Sequence, residues 1–266
     1  MTIAAFSSTT AFLWVEKTLS IALFLQSIEF LKLRKLMKDD SIWSWNILKL
    51  EFQIFPNIVQ KVLDFFLGYP NVVILIGIQL ALSIGLIFFS DPVLIWLLFL
   101  STTLLSLRWR GTFNGGSDFM TLLILMSLGL AGAFRGHPLA QDLALGYIGI
   151  QTCTSYFVSG FIKLKKMNWR NGKALQGFIR ASIYNSTHFT ETFRRAPRAH
   201  VFSWAVMLFE VSFPLTLLNS WLCLCWIGVA VIFHLGNFYL FGLNRFIFAW
   251  GAAYPALIWC SLKLSR

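Results

Sequence analysis

One uncharged apolar run sets the limits on what this chain can fold into. Residues 71–90, NVVILIGIQLALSIGLIFFS, contain no Asp, Glu, Lys or Arg. A helical run of about 20 apolar residues matches the thickness of a bilayer core. The whole chain is 57% hydrophobic and only 12% charged, whereas a soluble domain carries about 25% charged residues. This deficit reflects several long apolar runs and not one large soluble core, so the sequence predicts an integral membrane protein.

The other apolar runs have similar lengths. They predict an all-α, polytopic transmembrane helical bundle that forms a single domain over residues 1–266. About eight spans are expected, near residues 10–31, 71–90, 92–107, 118–134, 144–164, 201–219, 221–241 and 246–262. The second and third of these spans are separated because Asp91 is followed by Pro92, which favours a turn.

Two long segments are not expected to span. Residues 32–70 begin with basic residues and then interleave Trp, Phe, Ile and Leu with polar residues. That pattern predicts amphipathic helices lying in the membrane interface, broken near Pro56. Residues 165–200 contain eight Lys or Arg residues and are predicted to form a basic cytoplasmic loop.

The basic residues are distributed unevenly between the two predicted sides of the membrane. Of the 22 Lys and Arg residues, 17 fall in loops on one side and three on the other. The positive-inside rule then places both termini on the non-cytoplasmic side. The net charge of +11 is spread over loops and forms no separate basic domain, which favours the lipid bilayer as partner and not nucleic acid. The four cysteines lack metal-ligand spacing, and no metal site is predicted.

The fifth predicted span carries a polar stripe. At 100° per residue, Thr152, Tyr156, Ser159 and Lys163 share one face of an otherwise apolar helix. Such a stripe either lines a cavity or forms a polar contact with another helix, with Lys163 extending towards the lipid head groups. The residues alone leave both interpretations open.

Ionisable side chains inside other predicted spans are also candidates, because such groups are costly in a membrane and mark functional sites. His234 and Asn237 share one helical face. The histidine is a candidate proton carrier or hydrogen-bond donor to a ligand carbonyl, or else a satisfied interior residue. Glu210 lies mid-span and is expected to face protein, either protonated or paired with Lys163 or His234. The sequence predicts that the stripe and the His234–Asn237 face enclose one polar cavity.

Two sequence blocks resemble the HTTM family, the membrane domain shared with the vitamin K-dependent γ-carboxylases. Residues 156–175 read YFVSGFIKLKKMNWRNGKAL. They match an aromatic pair, a small residue with Gly, a Lys-Leu pair, a Trp and a Gly, which are Tyr156-Phe157, Ser159-Gly160, Lys163-Leu164, Trp169 and Gly172. The second block, F-H-x-x-N-x-x-L-F, matches at Phe233, His234, Asn237, Leu240 and Phe241. The N-G-G-S-D entry to the fourth span at residues 114–118 is also similar.

The resemblance implies roles for these residues. Lys163 matches the proposed base that deprotonates reduced vitamin K in the carboxylases, and His234 matches a residue near the quinone and substrate. It thus implies catalysis by Lys163 and His234 and a quinone or reduced vitamin K-like lipid as cofactor. The expected cofactor-binding residues are the polar neighbours of this pair in the spans, namely Thr152, Tyr156, Ser159, Glu210 and Asn237.

Small bacterial relatives of the carboxylases extend these expectations to peptide maturation, with a peptide or protein as substrate and the bacterial inner membrane as location. The spacing from Lys163 to Trp169 is one residue longer than in the animal enzyme, which disfavours glutamate carboxylation itself. Two alternatives remain open: a non-catalytic membrane assembly, immunity or partner-docking protein, and a small-solute transporter. Transport is disfavoured because the sequence shows no repeated halves.

Overall fold

The computed structural model describes residues 6–109, 115–134, 136–182, 191 and 196–265. Every regular element in this part of the chain is a helix, and none is a strand. The predicted all-α class is therefore confirmed. The α-helices, in chain order, are α1 (Ser8–Lys32), α2 (Trp45–Leu48), α3 (Asn57–Leu67), α4 (Asn71–Phe88), α5 (Pro92–Arg108), α6 (Gly115–Ala133), α7 (Ala140–Lys165), α8 (Met167–Arg170), α9 (Lys173–Ala181), α10 (Ala196–Ser212), α11 (Ser220–Phe241) and α12 (Asn244–Leu264).

Each predicted span coincides with one long helix. Fewer than eight of these helices, however, are both long enough and apolar enough to cross a membrane. Six described helices are long and apolar enough to cross a membrane, namely α1, α4, α6, α10 with its 3-10 extension to Leu217, α11 and α12. The expected count was therefore too high by this measure. The helix α5 has only 17 residues. The helix α7 has 26 residues, but the uncharged polar residues in its middle, including those of the stripe, make it less apolar. The chain is an integral membrane protein.

The chain divides into two compact units, Leu13–Gln141 and Met1–Phe12 with Asp142–Arg266. In the first, α5 packs against both α4 and α6. The Asp91 side chain caps α5 by accepting from the Val93 N–H at 2.8 Å, and Pro92 occupies the first turn. The buried Gln79 amide bonds to the Ser27 hydroxyl at 3.3 Å, so this unit contains a polar centre between its helices.

The segment between α1 and α4 folds into short helices over a shared core. The helix α3 begins at Asn57, immediately after Pro56, as the sequence predicts. Trp45, Phe52 and Leu63 are buried in one apolar cluster with the end of α1. Other apolar side chains of this segment are exposed on the surface of the protein, including Ile58, Val62 and Phe65 of α3. An amphipathic character is therefore present, and its location in the membrane interface stays a prediction.

The second unit contains the helices that carry the predicted site residues. The helix α10 packs against α8 and α9, and α11 packs against α12. Gly172 lies between α8 and α9 with φ +76°, a conformation that glycine adopts without strain. A Cβ there would also lie 2.7 Å from the backbone nitrogen of His200 in α10. The predicted basic loop is helical over α8, α9 and the start of α10. Its residues 183–190 and 192–195, like Asn114, Arg135 and Arg266, lie outside the described residues.

Candidate functional site

A buried ion pair links two of the predicted site residues. The Lys163 ammonium lies 2.5 and 2.6 Å from the two carboxylate oxygens of Glu210. It also donates to the Ser159 hydroxyl at 2.8 Å, and that hydroxyl donates to Glu210 Oε1 at 3.2 Å. The side chain of Glu210 is 3% exposed and that of Lys163 is 18% exposed. Glu210 therefore faces protein, as expected, and its partner is Lys163 and not His234.

A glycine brings α7 and α10 close enough for this pair to form. A Cβ at Gly160 would lie 2.7 Å from Glu210 Cβ and 2.9 Å from the backbone nitrogen of Val211. Real Cβ atoms do not approach that closely, so only glycine permits this helix separation. Because Gly160 lies between Ser159 and Lys163 in the sequence, the closest approach coincides with the ion pair.

A second polar group lies two turns earlier on α7. The Tyr156 hydroxyl is 2.6 Å from His234 Nε2 and 3.1 Å from the Tyr254 hydroxyl, so α7, α11 and α12 meet at one hydrogen-bonded trio. His234 is buried. Its Nδ1 has no hydrogen-bond partner within the part of the chain that the structure describes. Nε2 of the imidazole therefore bonds within the trio, and Nδ1 is a buried nitrogen that a further hydrogen-bond partner could satisfy.

Aromatic rings surround this trio. The Tyr156 ring stacks on Phe213, with centroids 3.8 Å apart. The His234 ring lies 5.5 Å from Trp250 and 6.0 Å from Phe246, and these two rings stack on each other at 5.1 Å. The histidine therefore sits among flat apolar faces, a setting that suits a planar ring more than an extended polar ligand.

The two polar groups belong to neighbouring parts of one helix interface. Tyr156 and Lys163 are seven residues apart on α7, two helical turns on the same face. The Phe209 ring, which precedes Glu210 on α10, contacts the Tyr156 ring at 5.6 Å. The stripe read from the sequence thus makes two polar contacts between helices, a neutral one at Tyr156 and an ionic one at Lys163.

The remaining predicted site residues do not join these groups through hydrogen bonds. The Thr152 hydroxyl donates to the Ile148 carbonyl of its own helix at 2.7 Å. Asn237 is half-buried on α11, and no hydrogen bond connects its side chain to either group among the described residues. Their roles in binding a cofactor stay predictions.

Sequence reasoning missed the last helix as a contributor to the site. Tyr254 and Trp250 both lie on α12, where they resemble the other aromatic residues of an apolar span. One signal was present: Pro255 follows Tyr254 inside the helix. A proline within a span leaves a carbonyl without its helical donor, and such positions often lie near polar partners.

Comparisons with family models, curated proteins and solved structures found no match. The HTTM resemblance therefore depends on the two sequence blocks alone. Among the described residues, no group of three or more His, Cys, Asp or Glu side chains has an arrangement that could hold a metal ion.

Replacing Tyr156 by phenylalanine should destabilise the protein by about 1–3 kcal/mol, because it leaves the buried His234 Nε2 and Tyr254 hydroxyl without their shared partner. Tyr147→Phe is the matched control, since Tyr147 lies on the same helix and is exposed. Thermal unfolding of both variants in detergent micelles tests the expectation. Equal midpoints for the two variants would show that the trio contributes nothing to stability.

Proposed function

We propose that this membrane protein is a small HTTM-like enzyme that transfers protons to and from a quinone-like lipid while a peptide is modified or matured. The observation that supports the proposal most is the buried arrangement of Lys163, Ser159 and Glu210 beside the trio of Tyr156 and His234 with Tyr254. Ionisable side chains within spans are rare and often mark proton relays or substrate pathways. Proton chemistry uses such groups.

The ion pair provides a route to a neutral amine. Lys163 acts as a base only after it has lost its proton. Glu210 is in direct contact and can accept that proton, and Ser159 contacts both groups. Transfer within the pair changes no net charge, because it converts an ammonium and a carboxylate into an amine and a carboxylic acid. Lys163 would then accept a proton from the substrate, with Glu210 acting as the proton reservoir.

His234 would bind and orient the ligand. Its Nε2 is held by Tyr156, which fixes the ring and directs Nδ1 away from the trio. A ligand carbonyl or hydroxyl would pair with Nδ1, and the stacked rings of Trp250 and Phe246 would accept a planar head group. A lipid-soluble quinone has both features.

The test separates a base from a structural cation. Lys163→Arg keeps the positive charge and the pairing with Glu210, but arginine stays protonated and cannot act as a base. We therefore expect the Arg variant to insert and fold while it forms no product, as judged by mass spectrometry of candidate peptides made with and without the protein. Lys165→Arg, at an exposed position on the same helix, is the matched control and should retain activity. Normal product from the Lys163→Arg variant would exclude Lys163 as the base.

A second candidate function is supported by a different surface. The segment after the site carries five exposed cations with no acidic residue among them, which are Lys165, Lys166, Arg170, Lys173 and Arg180. Such a surface suits docking of an acidic peptide or protein by a non-catalytic membrane factor. Purified protein that carries a bound peptide but no quinone absorbance would favour this function over the enzyme.

A further inference from the structure

A cavity lies in the short helices between α1 and α4, in the unit that does not contain the site described above. Its volume is about 90 Å³, which exceeds the roughly 10–15 Å³ that one water molecule needs by the same measure. It is lined by residues of α2, of the 3-10 helix Lys49–Phe52, of the residue that caps this helix and of α3, which are Trp45, Lys49, Phe52, Gln53, Gln60, Leu63 and Asp64. A small polar group fits there.

Two opposite charges line this cavity without pairing with each other. The Asp64 carboxylate accepts a hydrogen bond from the Trp45 indole at 2.6 Å through Oδ1. Within the described residues its Oδ2 has no partner, and the Lys49 ammonium has no anionic partner. A ligand that carries one negative and one positive group would satisfy both charges at once.

A glutamine adds a fixed acceptor to the cavity. The Gln60 amide nitrogen donates to the backbone carbonyls of Phe55 at 2.8 Å and Gln53 at 3.2 Å. These bonds use the donor end of the side chain and orient its Oε1 away from them. Together with Asp64, Gln60 offers acceptors to a group that has several N–H donors.

The segment that contains the cavity also exposes apolar side chains. Ile54 is 86% exposed, and Phe55, Ile58, Val62 and Phe65 are also exposed. In an integral membrane protein, exposed side chains of this kind on an amphipathic segment favour contact with acyl chains. The polar cavity thus opens on a segment whose other exposed side chains suit lipid tails.

We propose that this cavity binds the phosphoethanolamine head group of a membrane phospholipid. The phosphate would pair with Lys49, and the primary ammonium would donate to Asp64 and Gln60 near the rings of Trp45 and Phe52. The acyl chains would lie along the exposed side chains of α3. A phosphocholine group carries the same two charges but has no N–H to donate, and a phosphoglycerol group has no cation for Asp64.

The experiment measures retention of defined lipids by the full-length protein. The detergent-purified chain is mixed with palmitoyl-oleoyl phosphatidylethanolamine, phosphatidylcholine or phosphatidylglycerol, and bound lipid is counted by native mass spectrometry. We expect phosphatidylethanolamine to be retained about tenfold more strongly than the other two, which is the effect of one charge-assisted hydrogen bond. Equal retention of the three lipids, or strongest retention of phosphatidylglycerol, would overturn the proposal.

Single substitutions test whether the preference for phosphatidylethanolamine comes from this cavity. Asp64→Asn keeps an oxygen that accepts from the Trp45 indole, so it should fold normally while losing the preference for phosphatidylethanolamine. Lys49→Gln should weaken the binding of all three lipids alike, because each carries a phosphate, and Lys49 has no ion pair to lose among the described residues. The controls Glu51→Gln and Lys61→Gln alter exposed charges of the same segment outside the cavity. If these controls reduce retention as much as the cavity variants do, general surface charge explains the binding and the assigned site is wrong.

Discussion

Replacing Lys163 by methionine is expected to lower the stability of the protein by about 3–5 kcal/mol, because it leaves Glu210 as a buried carboxylate without its cation. The methionine fills a similar volume, so a cavity does not account for the loss. In a chain of this length the expected shift of the unfolding midpoint is on the order of 10 °C. Thermal unfolding in detergent micelles, followed by near-ultraviolet circular dichroism, measures it.

Replacing Glu210, the other member of the ion pair, should lower the stability of the protein less than replacing Lys163. Glu210→Gln retains an acceptor for the Ser159 hydroxyl and leaves a lysine that is 18% exposed and flexible enough to reach lipid head groups. We expect a loss of about 1–2 kcal/mol for this variant. The double variant Lys163→Met with Glu210→Met should recover most of the stability lost in Lys163→Met, since a well-packed apolar pair replaces a buried ion pair with little cost.

The chain supplies a matched ion pair as control. Lys263 and Asp142 also form a salt bridge, but their side chains are 55% and 22% exposed. Exposed pairs contribute about 0–1 kcal/mol, so Lys263→Met should shift the midpoint only slightly. If Lys163→Met and Lys263→Met have the same effect, the burial of Glu210 does not determine the stability of the site.

The sequence predicted which residues share a helical face but not which helices meet. The spacing of Tyr156, Ser159 and Lys163 places them on one side of α7, because helical geometry is local. Whether Glu210 pairs with Lys163 or His234 depends on how α7, α10 and α11 pack, which is a property of the whole unit. Both partners were therefore candidates from the sequence, and the structure distinguishes them.

The same limit bears on the number of spans, which is slightly below the eight expected. Hydropathy locates apolar runs and therefore the ends of most helices to within a few residues. It gives a low value for a helix such as α7, which is long enough to span but whose polar face is covered by neighbours in the folded unit. The contribution of Tyr254 was missed for a related reason, since an aromatic residue in an apolar helix shows no pattern that reveals its hydroxyl partner.

Replacing Gly160 by alanine is expected to disrupt the contact between α7 and α10 more than any other single methyl addition on α7. The added Cβ would lie 2.7 Å from Glu210 Cβ, and the neighbouring backbone of Val211 at 2.9 Å cannot move aside as a flexible side-chain end would. The helices must separate, and the Lys163–Glu210 pair then lengthens. Overpacking of this kind costs about 1–3 kcal/mol, and partial loss of the ion pair adds to it.

Gly146 provides the control on the same helix, because a Cβ there meets no atom within 4 Å. Alanine is the better helix former by about 1 kcal/mol, so Gly146→Ala should leave stability unchanged or raise it. The two variants add the same methyl group to the same helix and should shift the unfolding midpoint in opposite directions or by clearly different amounts. A Gly160→Ala protein as stable as Gly146→Ala would show that α7 and α10 do not approach as closely as Gly160 allows, and the geometry of the Lys163–Glu210 pair would then need to be revised.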